Sequence, residues 1–163
     1  CIESEAPYLG RCNFDAAGLI VQNLFGTRKT EPVKQASGEL LQFNQSAYLP
    51  KDEDAFLADN GYIYIPKNCI GGTACGLLIA FHGCEQNAEK IREVFVRDTG
   101  FNRWADTMNV VVLYPQTRAS YMPLNPKACW DWWGYSGADY DTRNGVQMRW
   151  LVNTVAALGA RLE

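Results

Sequence analysis

This chain of 163 residues lacks several features by which proteins are commonly classified. It has one histidine, His82, and no Gly-x-Ser-x-Gly pattern, so it offers neither a histidine-rich metal site nor a strained turn exposing a nucleophilic serine. Its longest apolar run, around residues 110–113, is far shorter than the roughly 20 residues that cross a bilayer. We therefore expect no membrane partner.

Basic residues are few and scattered along the chain. Fifteen Lys and Arg against 18 Asp and Glu give a formal net charge of −3. Nucleic-acid surfaces need clustered Lys and Arg, so we expect no nucleic-acid partner. The length suits a single domain, and no repeat, low-complexity segment or linker divides it. Residues 1–163 are therefore interpreted as belonging to one domain.

The cysteines carry more information. There are six: Cys1, Cys12, Cys69, Cys75, Cys84 and Cys129. None forms a C-x-x-C pair, so we expect no metal site, and no cofactor is indicated. An even count with two short spacings indicates disulfides in an oxidising compartment, which predicts a secreted or periplasmic protein. Pairing neighbours, Cys1–Cys12, Cys69–Cys75 and Cys84–Cys129, is the simplest of many connectivities; the alternative is buried free thiols.

Apolar periodicity predicts alternating strands and helices. Strands are expected over residues 61–65, 75–81 and 110–115, with a further candidate at 40–48. Helices are expected from residue 13 to 26, over 88–96 and 101–108, and from 146 to about 162. The nearly unbroken hydrophobicity of residues 75–81 is typical of a strand covered on both faces. This order predicts an α/β layer with a mainly parallel sheet, and residues 116–144 are expected to form a long irregular loop.

Two features follow the ends of predicted strands, where open α/β sheets bind ligands. Residues 77–81 run directly into the turn His82-Gly83-Cys84. In α/β-hydrolases such a strand end presents a backbone N–H to the oxyanion of an acyl-transfer intermediate. His82 itself is interpreted as a packed, hydrogen-bonded group, the alternative being a general base. Ser136 follows loop residues, so it lacks the setting of a nucleophile.

The second feature is the loop after residue 115. It holds three tryptophans within four positions: Trp130, Trp132 and Trp133. Tryptophans are costly to leave in water, so they either cover the core or line a ligand surface. The sequence by itself leaves both interpretations open.

Several sequence motifs, spread over most of the chain, resemble those of a known family. They are FHGCEQ at residues 81–86, DTGFNRWADT at 98–107, VLYPQ at 112–116, NPKACWDW at 125–132 and GVQM at 145–148. Together they resemble the extracellular poly(3-hydroxybutyrate) depolymerases of the α/β-hydrolase superfamily. The segment PYLGRCNFDAAG at residues 7–18 is similar to the one that follows the triad histidine in the circularly permuted, fungal-type members.

The resemblance implies a circularly permuted α/β-hydrolase domain, incomplete in this chain, with a mainly parallel sheet and flanking helices. Residues 1–163 then correspond to its C-terminal half, and the Ser, Asp and His of the triad lie upstream of Cys1. The oxyanion-hole donor is expected to be the Cys84 backbone N–H, with a second donor beside the missing serine. Trp132 is expected in the substrate crevice, with Trp130 and Trp133 as neighbouring substrate-binding residues.

The implied function is that of a serine esterase acting on poly(3-hydroxybutyrate) or related hydroxyalkanoate esters, inactive as this chain alone. Its partners would be a polyester or short-ester substrate and the missing N-terminal half. A feruloyl-type esterase of short esters is one alternative, because the fold does not fix the acyl group. A non-catalytic module that presents Trp130, Trp132 and Trp133 to a polymer is the other.

Overall fold

The computed structural model describes residues 5–10, 12–26 and 30–159. Its main strands are β1 Glu39–Asn44, β2 Asn60–Ile65, β3 Gly76–Ile79 and β4 Val110–Tyr114; a 3₁₀ helix, Gln45–Tyr48, follows β1. The helices are α1 Ala16–Phe25, α2 Lys67–Ile70, α3 Ala88–Ile91, α4 Val94–Asp98, α5 Phe101–Met108 and α6 Val146–Ala157. A small hairpin, β5 Ser120–Tyr121 and β6 Leu124–Asn125, interrupts the long loop before α6.

The four main strands form one mixed sheet in the order β1-β2-β4-β3. Only β3 and β4 are parallel, whereas β2 is antiparallel to both β1 and β4. The expectation of a mainly parallel sheet is therefore wrong for the part of the chain that the structure describes. Parallel neighbouring strands need a long crossover connection. The connection between β3 and β4, which contains α3, α4 and α5, is such a crossover.

The core lies on both faces of β4. Val112 and Tyr114 point to a cluster that includes Trp104 of α5. Leu113, between them, points to a second cluster with Trp150 of α6. Because successive side chains of a strand point to opposite faces, the two clusters together bury four of the five residues of β4, and Val111 is half-buried.

Strand β3 lies at the edge of this sheet. Leu78 is buried, but Leu77 and Ile79 on the other face are only half-buried. The sequence predicts that this strand is covered on both faces, but among the described residues that cover is incomplete. No strand in that part of the chain pairs with its outer edge.

Helix α1 ends where the sequence predicts, at Gly26, but it begins at Ala16, three residues after the predicted start. The Asp15 carboxylate caps it by accepting the Gly18 N–H at 2.8 Å, and Gly26 follows its last residue with φ +95°. The helix predicted over 88–96 is instead broken into α3 and α4 at Arg92, which has φ +55°. The final helix ends at Ala157, and its predicted extension beyond residue 159 lies outside the described residues.

The strand predicted over residues 40–48 ends at Asn44 because Gln45 is pulled inward. Its side-chain amide donates to the carbonyls of Ala58 and Gln116 at 2.7 and 2.8 Å, and its Oε1 accepts the Gln116 N–H at 3.0 Å. The Gln45 N–H still donates to the Asp59 carbonyl at 2.9 Å, and the backbone then turns into the 3₁₀ helix.

Two predicted disulfides are confirmed, Cys69–Cys75 and Cys84–Cys129. The predicted Cys1–Cys12 pair includes Cys1, which lies outside the described residues. None of the helices in the described ranges is long and apolar enough to cross a membrane.

Candidate functional site: the Cys84 turn and the tryptophan loop

The chain beyond β3 forms a tight turn over residues 83–86, here called the Cys84 turn. The Gln86 N–H donates to the Gly83 carbonyl at 3.1 Å, and Glu85 has φ +63°. Cys84 is exposed at the second position, and its N–H donates to no acceptor among the described residues. The turn therefore presents a free backbone donor beyond the carboxyl end of a strand.

The Cys84 turn is tied firmly to its neighbours. The Gly83 N–H donates to Oε1 of Gln86 at 2.8 Å, and the Glu85 N–H donates to the Lys127 carbonyl at 2.7 Å. The Cys84–Cys129 disulfide connects the turn covalently to the loop that carries the tryptophans. These ties hold the backbone on both sides of the exposed Cys84, whose own N–H has no acceptor among the described residues.

His82 is packed beneath the turn and is 3% exposed. The Thr117 N–H donates to Nε2 at 3.2 Å, so Nε2 is unprotonated and Nδ1–H donates to the Gly83 carbonyl at 2.7 Å. Burial lowers the pKa of His82, an effect that the hydrogen bond to Gly83 only partly opposes, and the ring is neutral at pH 7. Both ring nitrogens are engaged, which confirms the prediction of a packed, hydrogen-bonded histidine.

The tryptophan loop, residues 129–136, is folded around the Asp131 carboxylate. Its Oδ1 accepts the N–H groups of Trp133, Gly134 and Tyr135 at 3.1, 2.6 and 3.1 Å. Its Oδ2 accepts both the N–H and the hydroxyl of Ser136 at 2.7 Å. Partial burial raises the pKa of Asp131, but the hydrogen bonds from Ser136, Gly134 and Trp133 outweigh it, so the pKa lies below its usual value.

The structure separates the three tryptophans into two roles. Trp130 packs edge-on against Phe81 and tilted against His82, with ring centroids 4.8 and 5.7 Å apart, and it borders the second core cluster. Trp132 is 71% exposed and Trp133 is 41% exposed, and their rings meet at 5.2 Å. Trp130 thus helps to cover the core, whereas Trp132 and Trp133 form an exposed surface that a ligand could contact.

Sequence reasoning missed the residues that hold the loop and the turn in place. The Asp131 N–H donates to Oε1 of Gln147 on α6 at 3.1 Å, and Nε2 of Gln147 donates to the Tyr135 hydroxyl at 2.9 Å. Gln86 and Gln147 both lie within the motifs that resemble the family, but those motifs do not indicate what either side chain does. Their roles depend on partners far away in the sequence.

The geometry provides a free amide donor for a developing negative charge, beside an exposed aromatic surface. Within the described part of this site, His82 uses both ring nitrogens and the Ser136 hydroxyl donates to Asp131, so this histidine and this serine do not form a base–nucleophile pair. In α/β-hydrolases a strand end with a free backbone N–H can contribute to the oxyanion hole, and the Cys84 turn has this arrangement within an α/β layer. The fold and the site together define that class of protein.

The comparisons with known proteins identify the family. Residues 60–162 match the family Esterase PHB depolymerase, so the chain belongs to that family. It is 42% identical over 151 residues to a poly(3-hydroxybutyrate) depolymerase of Delftia acidovorans, and 37% identical over 166 residues to a polyhydroxybutyrate depolymerase of Talaromyces funiculosus. These alignments cover 91% and 95% of this chain but 29% and 48% of the relatives.

Solved structures agree with the fold. The PHB depolymerase from Penicillium funiculosum superimposes with a TM-score of 0.86 at 36% identity, over 94% of this chain and 50% of that one. A serine-to-alanine variant of a PHB depolymerase, complexed with an R3HB trimer, gives 0.87 at 36% identity, over 95% and 51%. The α/β-hydrolase fold is therefore confirmed, and the chain spans about half the length of these structures.

Proposed function

We propose that residues 1–163 supply the oxyanion side of a serine esterase that hydrolyses poly(3-hydroxybutyrate) or related hydroxyalkanoate esters. The free N–H of Cys84, in a chain that belongs to the depolymerase family, is the observation that carries this proposal. A rigid donor aimed at the developing oxyanion lowers the barrier of acyl transfer because it binds the transition state more strongly than the ester.

In the proposed reaction, a serine outside this chain forms a bond from its Oγ to the ester carbonyl carbon. The hydroxyl proton passes to a histidine held by an aspartate, both outside this chain, and the carbonyl oxygen becomes the oxyanion. The Cys84 N–H donates to that oxygen, together with a second donor beside the serine. The bond from the carbonyl carbon to the alkoxy oxygen then breaks, and the histidine gives its proton to the departing alcohol. Water attacks the acyl-enzyme by the same steps, which releases the acid and returns the proton to the serine.

The catalytic residues are proposed to lie in an N-terminal half that precedes this one in a circularly permuted domain. The chain covers only 48% to 51% of the fungal-type relatives, and it has no Gly-x-Ser-x-Gly pattern. The outer edge of β3, with half-buried Leu77 and Ile79, is where such a half would complete the sheet and cover apolar surface. Residues 1–163 would then be a portion of one domain.

The substrate surface is proposed to centre on Trp132, with Trp133 beside it. An exposed indole covers the apolar segments of a polyester chain well, and the solved relative complexed with an R3HB trimer supports a substrate of this class. Trp130, also expected to be a substrate-binding residue, is half-buried and packs edge-on against Phe81. Short esters, including feruloyl esters, fit the same chemistry.

A secreted or periplasmic location is proposed on the two described disulfides, Cys69–Cys75 and Cys84–Cys129. Disulfides form and persist in oxidising compartments and are rare in the cytosol.

The test compares residues 1–163 with the longest natural reading frame that contains them. The longer protein should hydrolyse a p-nitrophenyl ester and a hydroxybutyrate trimer, whereas residues 1–163, shown to be folded by circular dichroism, should not exceed background. Turnover by residues 1–163 alone, abolished by Ser136→Ala, would show that the nucleophile lies in this chain and would contradict the proposal.

The exposure of Trp132 and Trp133 also favours a second function, binding to a polymer without catalysis. This alternative predicts that the longer reading frame adsorbs to a polyhydroxybutyrate film, loses adsorption when Trp132 is replaced, and releases no hydroxybutyrate. Release of soluble product from the film separates the two functions.

A further inference from the structure

We infer that Gln86 is a positioning residue that fixes the direction of the Cys84 N–H, an inference that rests on the proposed esterase function. The side chain of Gln86 connects two separate parts of the chain to the Cys84 turn. It does not contact the Cys84 N–H itself, so its effect on the reaction would be indirect.

Both ends of the Gln86 amide are used. Oε1 accepts the Gly83 N–H at 2.8 Å, which holds the residue directly before Cys84. Nε2 donates to the carbonyls of Pro7 and Tyr8 at 3.1 and 3.2 Å. Gln86 thus joins the first described segment of the chain to the turn across a sequence distance of nearly eighty residues.

A second set of contacts grips the turn at Glu85. Its Oε2 accepts the Tyr8 hydroxyl at 3.4 Å and lies 3.3 Å from Nζ of Lys127. Both Glu85 contacts are exposed, so they contribute little to stability by themselves. The Gln86 side-chain amide, by contrast, hydrogen-bonds to the backbone of the turn at Gly83 and to the backbone of residues 7 and 8.

The packing at Gly83 shows how closely Gln86 fits. A Cβ at Gly83 would lie 2.7 Å from Oε1 of Gln86, which is too close for any real contact. Only glycine therefore allows the amide to approach the backbone of the turn. The Gly83–Gln86 pair restricts the peptide that carries the Cys84 N–H.

Preorganisation is the chemical reason for such a tie. A misplacement of about 1 Å in a catalytic geometry can cost about a hundredfold in rate. An oxyanion donor interacts more strongly with the transition state than with the bound ester, so disturbing it should lower kcat and leave KM nearly unchanged. A residue that only stabilises the fold would not produce this separation.

The test uses Gln86→Met in the longest natural reading frame, because methionine keeps the length of the side chain but forms none of the three hydrogen bonds. We expect kcat for a short soluble ester to fall roughly 10- to 100-fold, with KM changed less than about threefold. The melting temperature should fall by less than about 4 °C. Gln42→Met is the matched control, since Gln42 is exposed on β1 at the opposite edge of the sheet.

A readout independent of turnover is the hydrogen exchange of the Gly83 amide, followed by NMR. Exchange should accelerate in Gln86→Met and not in Gln42→Met. Faster exchange with unchanged kcat would overturn the positioning role and leave the esterase function intact. A wild-type protein without esterase activity would overturn the function itself and, with it, the catalytic role of Gln86. A loss of kcat accompanied by a raised KM and a large drop in melting temperature would assign Gln86 to folding alone.

Discussion

Two tryptophans on different parts of this chain show how one residue type is used for packing and for display. Trp104 on α5 is 3% exposed, and its indole N–H donates to Oδ2 of Asp15 at 2.7 Å. Trp132 on the tryptophan loop is 71% exposed. In each region an aspartate organises the surroundings, but the two aspartates do different work.

Asp15 serves the side chain of its tryptophan. One carboxylate oxygen caps α1 through the Gly18 N–H, and the other accepts the Trp104 indole. A Cβ at Gly18 would lie 2.7 Å from the ring, so α1 and α5 are in direct contact. Asp131 serves the backbone instead: it accepts the N–H groups that follow Trp132 and leaves that indole in solvent. An aspartate whose hydrogen bonds are satisfied can thus fix a buried tryptophan in one region and hold a loop with an exposed tryptophan in another.

The largest effect is expected on the packed side. Trp104→Ala should lower the free energy of unfolding by about 3–5 kcal/mol, because it empties a closed site between α1 and α5. Trp104→Phe, which keeps much of the ring volume but loses the hydrogen bond to Asp15, should lose less. Denaturant unfolding of the longest natural reading frame measures both. Equal stability of Trp104→Ala and wild type would mean that this face is not the packed one.

The two described disulfides are expected to differ in how much they stabilise the fold and in whether they affect the site. Chain-entropy theory assigns about 4 kcal/mol to Cys84–Cys129, which joins residues 45 apart, and about 2 kcal/mol to Cys69–Cys75, which joins residues six apart. Replacing each pair by serines should reproduce this order in denaturant unfolding. Only the loss of Cys84–Cys129 should also reduce esterase turnover, since that pair fixes the Cys84 turn. Equal turnover in the two double variants would show that the Cys84–Cys129 disulfide does not position the Cys84 turn for catalysis.

A smaller effect is expected for Asp131, and it depends on pH. Asp131→Asn should lower the free energy of unfolding by about 1–2 kcal/mol at pH 7, comparable to losing a helix cap. The folded-state pKa lies below the ordinary 3.8, so this contribution is present above that pH and is lost as pH falls through the folded value. Thermal melts of wild type and variant should therefore differ at pH 7, and the difference should shrink as the pH falls below 3.8. A difference in melting temperature that does not change with pH would show that the ionised carboxylate of Asp131 is not what stabilises the loop.

Much of the packed region could be predicted from the sequence. Helix α5 has the predicted bounds, and β2 and β4 differ from prediction by only one residue at one end. These elements carry their own signals: apolar periodicity, β-branched runs and flanking glycine or proline. The capping of α1 by Asp15 is equally local.

The displayed region could be predicted only in outline. The sequence located the Cys84 turn and the tryptophan loop, but not the Asp131 network or the tie from Gln86 to residues 7 and 8. The break at Arg92 and the inward turn at Gln45 were missed for the same reason. Each depends on hydrogen-bond partners distant in the sequence or on a backbone conformation that no short pattern encodes.

The smallest stability effect, and the most specific functional one, is expected for Trp132→Ala. Little buried surface is lost, so the free energy of unfolding should change by less than about 1 kcal/mol. Hydrolysis of the polymer or of a hydroxybutyrate trimer should weaken, whereas a small chromogenic ester should be largely unaffected. Binding energy gathered away from the reacting atoms contributes to the transition state only when the substrate is long enough to reach the indole.

Trp133→Ala and Trp130→Ala are the matched controls for this measurement. Trp133 is less exposed than Trp132, so its loss should cause a smaller change on the trimer. Trp130 contacts Phe81 and His82, so its loss should reduce stability and the hydrolysis of both substrates together. Initial rates on the two substrates for all three variants give a ratio that cancels differences in the amount of folded enzyme. A Trp132→Ala ratio equal to that of Trp130→Ala would show that Trp132 supports the loop and does not contact the substrate chain.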